Sequence, residues 1–389
     1  MRVLLLTEYA HLILYPRVLS RPRLLSRPAE FRFIIGDPMV RIVNVNLVGA
    51  ILLQTLAVLV VINTPSAAAL TNADMVNFLA QSLCLNTAGN PTAQIPIIDN
   101  CTSMRPQRAD DTAVYQKHDW PDRQVYPHYF LTGHQASDSV VISLTNRPVI
   151  EQTLDFGGDP QHHFGYFDSN DAGQIVLLVG GWASIVMTQD ATGGVQWFIG
   201  SGCRGSVGGG RLSWLLFNQT IPSGSWAAIV PSLNIARSPS DCPARFNPAY
   251  TRYRREQISF PFRLVQGNTV TMTMRPVDVI ITEHFNGRSP DPALDTSLER
   301  FYFCNHLGWL RWERWENLAV HNEPQFTERA RDLNASARCP AVSYSTAPGP
   351  NWVRVGCRTW TTIVKPNKPW SVKDYHWKAV EDFNWSSNF

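Results

Sequence analysis

Charge is scarce in this chain, and none of it is gathered into a patch. Asp, Glu, Lys and Arg make up 17% of 389 residues, with a formal net charge of +3, against about 25% in an ordinary globular protein. The small surplus is lopsided. The first 69 residues hold seven Arg and three acids (Glu8, Glu30 and Asp37), so the rest of the chain is close to neutral. A neutral chain without clustered Lys and Arg lacks the electrostatic footprint of nucleic-acid or anionic-membrane binding, and no nucleic-acid partner is expected.

Other absences narrow the chemistry. Cys-x-x-Cys does not occur, and no Cys/His spacing fits a structural zinc site. Gly-x-Ser-x-Gly is missing, which excludes the strained nucleophile turn of α/β-hydrolases. The glycine-rich stretch from Gly202 to Arg211 is not followed by Gly-Lys-Ser/Thr, so a phosphate cradle is not expected. His162 and His163, with Asp155, Asp159 or Asp168 near them, match no metal signature, and an EF-hand loop is absent. No metal and no cofactor is therefore expected. Strands do not alternate with helices, which argues against a parallel α/β sheet.

Only one long apolar run is present, Leu47 to Ile62, with Gln54 as its one strongly polar member. Met39-Val40-Arg41 precedes it and Ser66-Ala67-Ala68-Ala69 follows. A short basic segment, an apolar segment and small residues are the order of a secretory signal peptide, here 39–69. The run falls short of the ~20 residues of a typical membrane-spanning helix, so export with cleavage is expected over a retained anchor. Residues 1–38 carry repeated Ser-Arg-Pro pieces, five Arg between Arg17 and Arg32, and no periodic pattern. They read as a non-native or arginine-rich targeting extension, with translation expected to start at Met39. The product is expected to be secreted or periplasmic, without stable membrane insertion after signal cleavage.

The seven cysteines all follow residue 69, as suits an oxidising compartment. Neighbour pairing suggests bridges Cys84–Cys101, Cys203–Cys242 and Cys339–Cys357, although sequence alone leaves connectivity open. Cys304, in Phe301-Tyr302-Phe303-Cys304, is left over and reads as a buried, inert thiol.

Residues 70–108 are expected to form a short amphipathic helix over 71–85, capped by Thr71 or Asn72, and then a disulfide-stapled connection. From residue 109 to 389 the pattern is β. Short runs rich in Val, Ile, Thr and aromatics (139–144, 149–156, 174–179, 183–188, 195–199, 212–218, 226–233, 257–264, 269–275, 277–284 and 353–364) are separated by Gly, Pro, Asn and Asp. Their spacing predicts a mainly β fold, an antiparallel β-sandwich of jelly-roll or concanavalin-like type. Two short helices are expected within it. One runs from Pro292 through Leu307, ended by Gly308. The other, more polar, spans 326–333.

Thirteen Trp are present, and the densest cluster is Gly308-Trp309-Leu310-Arg311-Trp312-Glu313-Arg314-Trp315-Glu316. Strand alternation puts Trp309, Arg311, Glu313 and Trp315 on one face, and Leu310, Trp312, Arg314 and Glu316 on the other. Neither face is wholly apolar, so the strand is expected to lend aromatic plates and fixed charges to a cleft. A sugar ring stacks its C–H face on an indole and needs charged groups at its rim. Trp309, Trp312 and Trp315 are the expected stacking plates. Arg311 is expected to bind a uronate or to position Glu313. An opposite charge keeps a carboxylate ionised, so Glu313 suits a stabilising or nucleophilic role. The alternative is a structural ion pair between Arg311 or Arg314 and Glu299, Glu313 or Glu316.

Two further clusters are candidates. Val279 to Gly287 ends a β run in Glu283 and His284, where a strand hands over to a loop. Glu283 could serve as acid or base, and His284 could orient substrate or relay a proton. The segment Gln116-Lys117-His118-Asp119-Trp120 and the later Asp138 form the last group. His118 and Trp120 are candidate substrate contacts and Asp119 and Asp138 candidate catalytic acids, though neighbouring His118 and Asp119 point apart on a strand. Together these residues predict a secreted protein that cleaves a polysaccharide or oligosaccharide. Two carboxylates among Glu283, Glu313, Glu316, Asp119 and Asp138 would flank the glycosidic bond, or His284 and Tyr302 would act in a uronate lyase. The alternatives are a non-catalytic carbohydrate-binding module and a structural envelope protein in which the Trp are core.

Overall fold

The computed structural model describes residues 69–108, 110–120, 134–142, 149–158, 172–189, 195–197, 214–229, 233–235, 244–246, 250–287, 291–335, 339–365 and 370–371, all within a compact unit spanning Ala67–Phe389. Apart from Ala69, the extension and signal segment lie outside the described residues, as do Cys203, Cys242, His162 and His163.

The chain opens with α1 (Asn72–Leu79), then β1 (Ser82–Leu85), β2 (Ser103–Pro106), β3 (Thr112–Ala113), β4 (Gln116–His118), β5 (His134–Ile142) and β6 (Val149–Gly158). It continues with β7 (Ala172–Val179), β8 (Trp182–Gln189), β9 (Val195–Trp197), β10 (Trp214–Asn218), β11 (Ala227–Ile229), β12 (Leu233–Ile235) and β13 (Ala244–Phe246). The long hairpin β14 (Thr251–Gln266) and β15 (Thr269–Phe285) follows, then β16 (Ser297–Cys304), β17 (Gly308–Asn317), α2 (Pro324–Ala335), β18 (Trp352–Thr359), β19 (Thr362–Val364) and β20 (Trp370–Ser371).

The expectation of a mainly antiparallel β fold holds. Among the described residues, fourteen strands join one nearly closed sheet, in the order β10-β8-β7-β6-β5-β4-β19-β14-β15-β16-β17-β18, with β11 beside β14 and β9 beside β8. β14 and β19 pair in parallel.

Away from the tip of the β14–β15 hairpin, the β14–β18 half of the sheet is buried on both faces. One face carries Tyr253, Ile280, Phe301, Phe303 and Trp309, which pack with α1 and with residues of β7, β8 and β10. The other carries Ile258, Phe260, Phe262, Val279, Ile281 and Tyr302, joined by Ile95, Tyr115 and Ile363. A strand covered on both sides has no use for polar alternation, which is why β15 runs Val277 to Phe285 with so little of its surface in water.

The helix expectations divide. α1 starts as expected: Thr71 Oγ1 accepts from the Asp74 N–H (3.1 Å) and Asp74 accepts from the Thr71 N–H (2.9 Å), a reciprocal cap. It ends at Leu79, because Ser82–Leu85 pairs with Ser103–Pro106 as a strand. The helix expected from Pro292 to Leu307 is not there. A single 3-10 turn, Pro292–Leu294, precedes β16. Leu294, Leu298 and Phe301 have a helix-like spacing, but Leu298 through Cys304 lies between two paired strands, and burial on both faces overrides the local pattern. Gly308 does take a left-handed φ of 66°, but it opens β17 after a turn. The polar helix at 326–333 is present as α2, slightly longer than expected.

Two expected bridges, Cys84–Cys101 and Cys339–Cys357, are formed. Cys304 is a free, buried cysteine, and burial pushes its thiol well above the usual range, as an inert role requires.

Candidate functional site

Register builds the site. Arg252 on β14 stands opposite Glu283 on β15, Glu283 opposite Arg300 on β16, Arg300 opposite Glu313 on β17, and Glu313 opposite Cys357 on β18. One straight row across five strands therefore alternates cation and anion, ending on a disulfide. Directly opposed residues share a face and sit close together, so each charge meets its counterion without any loop to position it. In the next row on this face, Tyr302 lies opposite Arg311, and Arg311 opposite Thr359.

Glu283 accepts from Arg252 Nε and from Arg300 Nε, the latter at 2.7 Å. Glu313 is surrounded. Its Oε1 accepts from Arg311 Nε (2.8 Å), from Arg354 Nη1 (3.3 Å) and from the Ser345 hydroxyl. Its Oε2 accepts from Arg300 Nη1 (3.0 Å), Trp315 Nε1 (3.1 Å) and Tyr302 Oη (3.3 Å). Six donors on one carboxylate exceed its roughly four lone-pair sites. Burial alone would raise this carboxyl's pKa. The guanidiniums of Arg311, Arg300 and Arg354 and the Ser345 hydroxyl outweigh it and hold Glu313 well below the usual carboxylate range. Arg300 is raised despite its burial, by Glu283, Tyr302 and Glu313. Burial and the neighbouring Glu313 raise the Tyr302 phenol.

A loop closes over the row. Arg311 Nη1 donates to the Pro340 carbonyl (2.8 Å) and Thr359 Oγ1 (3.1 Å), and Arg311 Nη2 to Ser345 Oγ (3.0 Å). Arg300 reaches the Tyr344 and Thr346 carbonyls at 3.0 and 2.9 Å. Backbone carbonyls of 340–346 thus complete guanidinium forks that the carboxylates leave open, and Cys339–Cys357 ties the loop to β18. Tyr344 adopts a left-handed φ of 65° and stacks its ring over Arg254, 4.5 Å from the guanidinium carbon. Trp226 flanks Arg254 from another side at 5.1 Å.

The expected solvent-facing ribbon is corrected by this geometry. Trp309 and Trp315 are only 6% and 5% exposed, and Arg311 and Glu313 are fully buried; Trp312 is half-buried, its Nε1 donating to Glu299 at 3.3 Å. The expected shared face also fails in one place. The β16–β17 pairing shifts register between Tyr302 and Phe303, leaving Leu310 as an extra residue. Such a bulge flips every later side chain, so Trp309 sits with Phe301 and Trp360 on the α1 side, away from Arg311, Glu313 and Trp315.

The other candidates are dispersed. His284 lies on the opposite face from Glu283 and Tyr302, its edge against Phe301; its ring nitrogens meet Thr251 and Thr282 hydroxyls at 3.2 and 3.0 Å. Burial lowers its pKa to about 3, and its place on the opposite face of the sheet separates it from Tyr302. Glu316 shares the face of Arg314, which it accepts at 2.8 Å, and is turned away from Glu313. Asp119 accepts from the Trp120 and Thr359 N–H groups at 3.0 and 3.2 Å, which makes it a local anchor of the β18 end. His118 is buried and bonds Gln116 Oε1 at 2.9 Å, while Trp120 is half-buried. Asp138 lies on β5, and its side chain is outside the described residues.

Sequence reasoning missed Arg252, Arg300, Arg354 and Ser345. Arg252 and Arg300 sit at strand positions whose parity matches Glu283, but only the register shows it. Ser345 carries no sequence signal. Among the described residues, the one group with metal-like spacing is Glu313 with the sulfurs of Cys339 and Cys357. Those sulfurs are joined to each other and Glu313 is already saturated, so the group does not suit an ion.

No protein-family model matches this chain, and no curated protein or solved structure matches it either.

Proposed function

We propose that this chain works outside the cytoplasm as a non-catalytic β protein of structural kind, whose contacts are made by its surface and not by a small-molecule pocket. The observation that carries the reading is the state of Glu313, which is fully buried, covered by 340–346 and bonded by six donors. A glycosidase needs one protonated and one ionised carboxylate beside a substrate oxygen. Glu313 has no proton to give, and its partner across Arg300, Glu283, is held by two guanidiniums. The two disulfides suit an oxidising compartment. No helix among the described residues is long and apolar enough to cross a membrane. Secretion through the 39–69 segment and a jelly-roll description of the sheet belong to this proposal.

A second reading, binding of a polysaccharide without cleavage, is favoured by the surface stack of Trp226, Arg254 and Tyr344, in which Tyr344 is 38% exposed. One experiment separates the readings from each other and from an enzyme. The purified protein is tested on a polysaccharide panel for reducing ends, unsaturated uronates and retention in affinity electrophoresis. The structural reading expects none of the three. Retention abolished by Trp226→Ala or Tyr344→Ala establishes the second reading in its place. Product formation lost in Glu313→Gln or Glu283→Gln overturns both.

A further inference from the structure

The hairpin β14–β15 is paired along its full length, from Thr251↔His284 to Gln266↔Thr269. Its two sides are not treated alike. On the β14 side the outer end is built into the sheet by β19, at Arg263↔Thr362, Leu264↔Ile363 and Val265↔Val364. On the β15 side, β16 pairs only with Val279–Phe285. Among the described residues no strand pairs with the outer edge of β15 from Thr269 to Arg275.

Among the described residues nothing covers that edge. It reads Thr269-Val270-Thr271-Met272-Thr273-Met274, six residues without a charge, a proline or a glycine. Val270, Met272 and Met274 are 48%, 56% and 57% exposed and, being two apart, form one apolar row. Natural proteins blunt exposed edges with charge, proline, bulges or a covering element, and none of these devices interrupts Thr269 to Met274. Pro276 lacks an N–H and bounds the free edge on one side. The Gly267 turn, with φ +58°, bounds it on the other.

We propose that this edge pairs with the same edge of a second copy of the chain, antiparallel about a two-fold axis. The interface goes beyond the functional reading above and does not depend on it. The segment is its own complement. With Met272 opposite Met272 of the second copy, Val270 faces Met274, Thr271 faces Thr273 and Thr269 faces Arg275. Directly opposed residues lie on one face, so the Val and Met rows of both copies merge into one apolar strip and the Thr rows into another face. No like charges meet, because Arg275 falls opposite Thr269. An isologous contact of this kind closes on itself and stops at two, whereas the Thr269–Met274 row offers a foreign strand no charge to fix its register. Two backbone edges left to water would instead be paired, with the sheet continuing from one copy into the next.

The test uses the two-fold itself. Because Met272 meets Met272, the single substitutions Met272→Lys and Met272→Glu each place like charges face to face, and mixing the two variants places opposite charges there. Sedimentation velocity of the purified protein is expected to show a concentration-dependent dimer. Each variant alone should dissociate at least about tenfold more readily, with an unchanged melting profile of the monomer, and the equimolar mixture should recover the dimer. A native protein that stays monomeric, a dimer indifferent to Met272→Lys, or a mixture no more associated than its parts overturns the proposal. Cosedimentation of a monomer with phosphatidylcholine–phosphatidylglycerol vesicles, lost in Met272→Lys, overturns it in favour of a membrane surface.

Discussion

Replacing Glu313 by Gln keeps the size of the side chain and removes its charge from the centre of the row. Four guanidiniums (Arg252, Arg300, Arg311 and Arg354) share two carboxylates, Glu283 and Glu313. In the variant they share one. Arg300 and Arg311 are 3% and 0% exposed, so water cannot take over, and one N–H face of the new amide points at cationic donors. Breaking a buried pair by removing one partner costs about 3–5 kcal/mol, which for a domain of this size lowers the melting temperature by roughly 4–7 °C. Arg311→Met added to Glu313→Gln restores the original excess of cations over anions. The double variant should therefore recover roughly 1–3 kcal/mol relative to the sum of the single variants. Urea unfolding followed by Trp fluorescence, disulfides intact, measures all three. The pH profile adds a check. A carboxyl lowered in the folded state stabilises above its unfolded pKa, and this contribution is lost as pH falls through that range toward the folded value. Glu313→Gln should flatten the acid limb of the stability curve. A loss under about 1 kcal/mol, or a double variant equal to the plain sum, would refute the buried ladder as the organising contact of β14–β18.

Two more outcomes follow from the same structure. Cys339→Ser with Cys357→Ser frees the 340–346 loop from β18; closing a segment of 18 residues is worth about 3 kcal/mol, and limited proteolysis should find a new cut between 340 and 350 with a red shift from Trp315. Protection unchanged in the double serine variant would mean that the guanidinium–carbonyl bonds alone hold the loop. Asp295 is 3% exposed, and burial pushes its carboxyl up to about 6 against the single hydrogen bond from Gly287. A carboxyl raised on folding binds its proton in the folded state where the unfolded chain has lost it. Stability should therefore fall as pH rises from about 4 to about 6, and Asp295→Asn should gain up to roughly 3 kcal/mol at pH 7 while removing that slope; a variant with the native slope contradicts this.

Elements with a local cause are legible in the chain itself. The Thr71–Asp74 cap, the polar α2, the Gly-bounded strands and the pairs Cys84–Cys101 and Cys339–Cys357 each rest on residues near one another in sequence. The strand carrying Trp309 to Glu316 is legible too, and so is its mixture of charge and indole. Its environment is not. A strand with Trp, Arg and Glu on one face suits the rim of a cleft and the inside of a doubly covered sheet equally well, and only the neighbours of β17 distinguish them. The segment Leu298–Phe301 is ambiguous for the same reason, since a helical spacing of three apolar residues is also met by a strand buried on both sides.

The amino-acid sequence determined the material: a near-neutral β chain, cysteines placed for bridges, and acids and guanidines seeded at fixed parity along five strands. Tertiary structure decided the use. Register alone lined up Arg252, Glu283, Arg300 and Glu313, because opposed partners lie 31, 17 and 13 residues apart and nothing local sets which rung meets which. One extra residue, Leu310, chose which side Trp309 would face. The loop at 340–346 then took the guanidinium valences left over, and so turned residues that could have met a ligand into a closed, hydrogen-bonded interior.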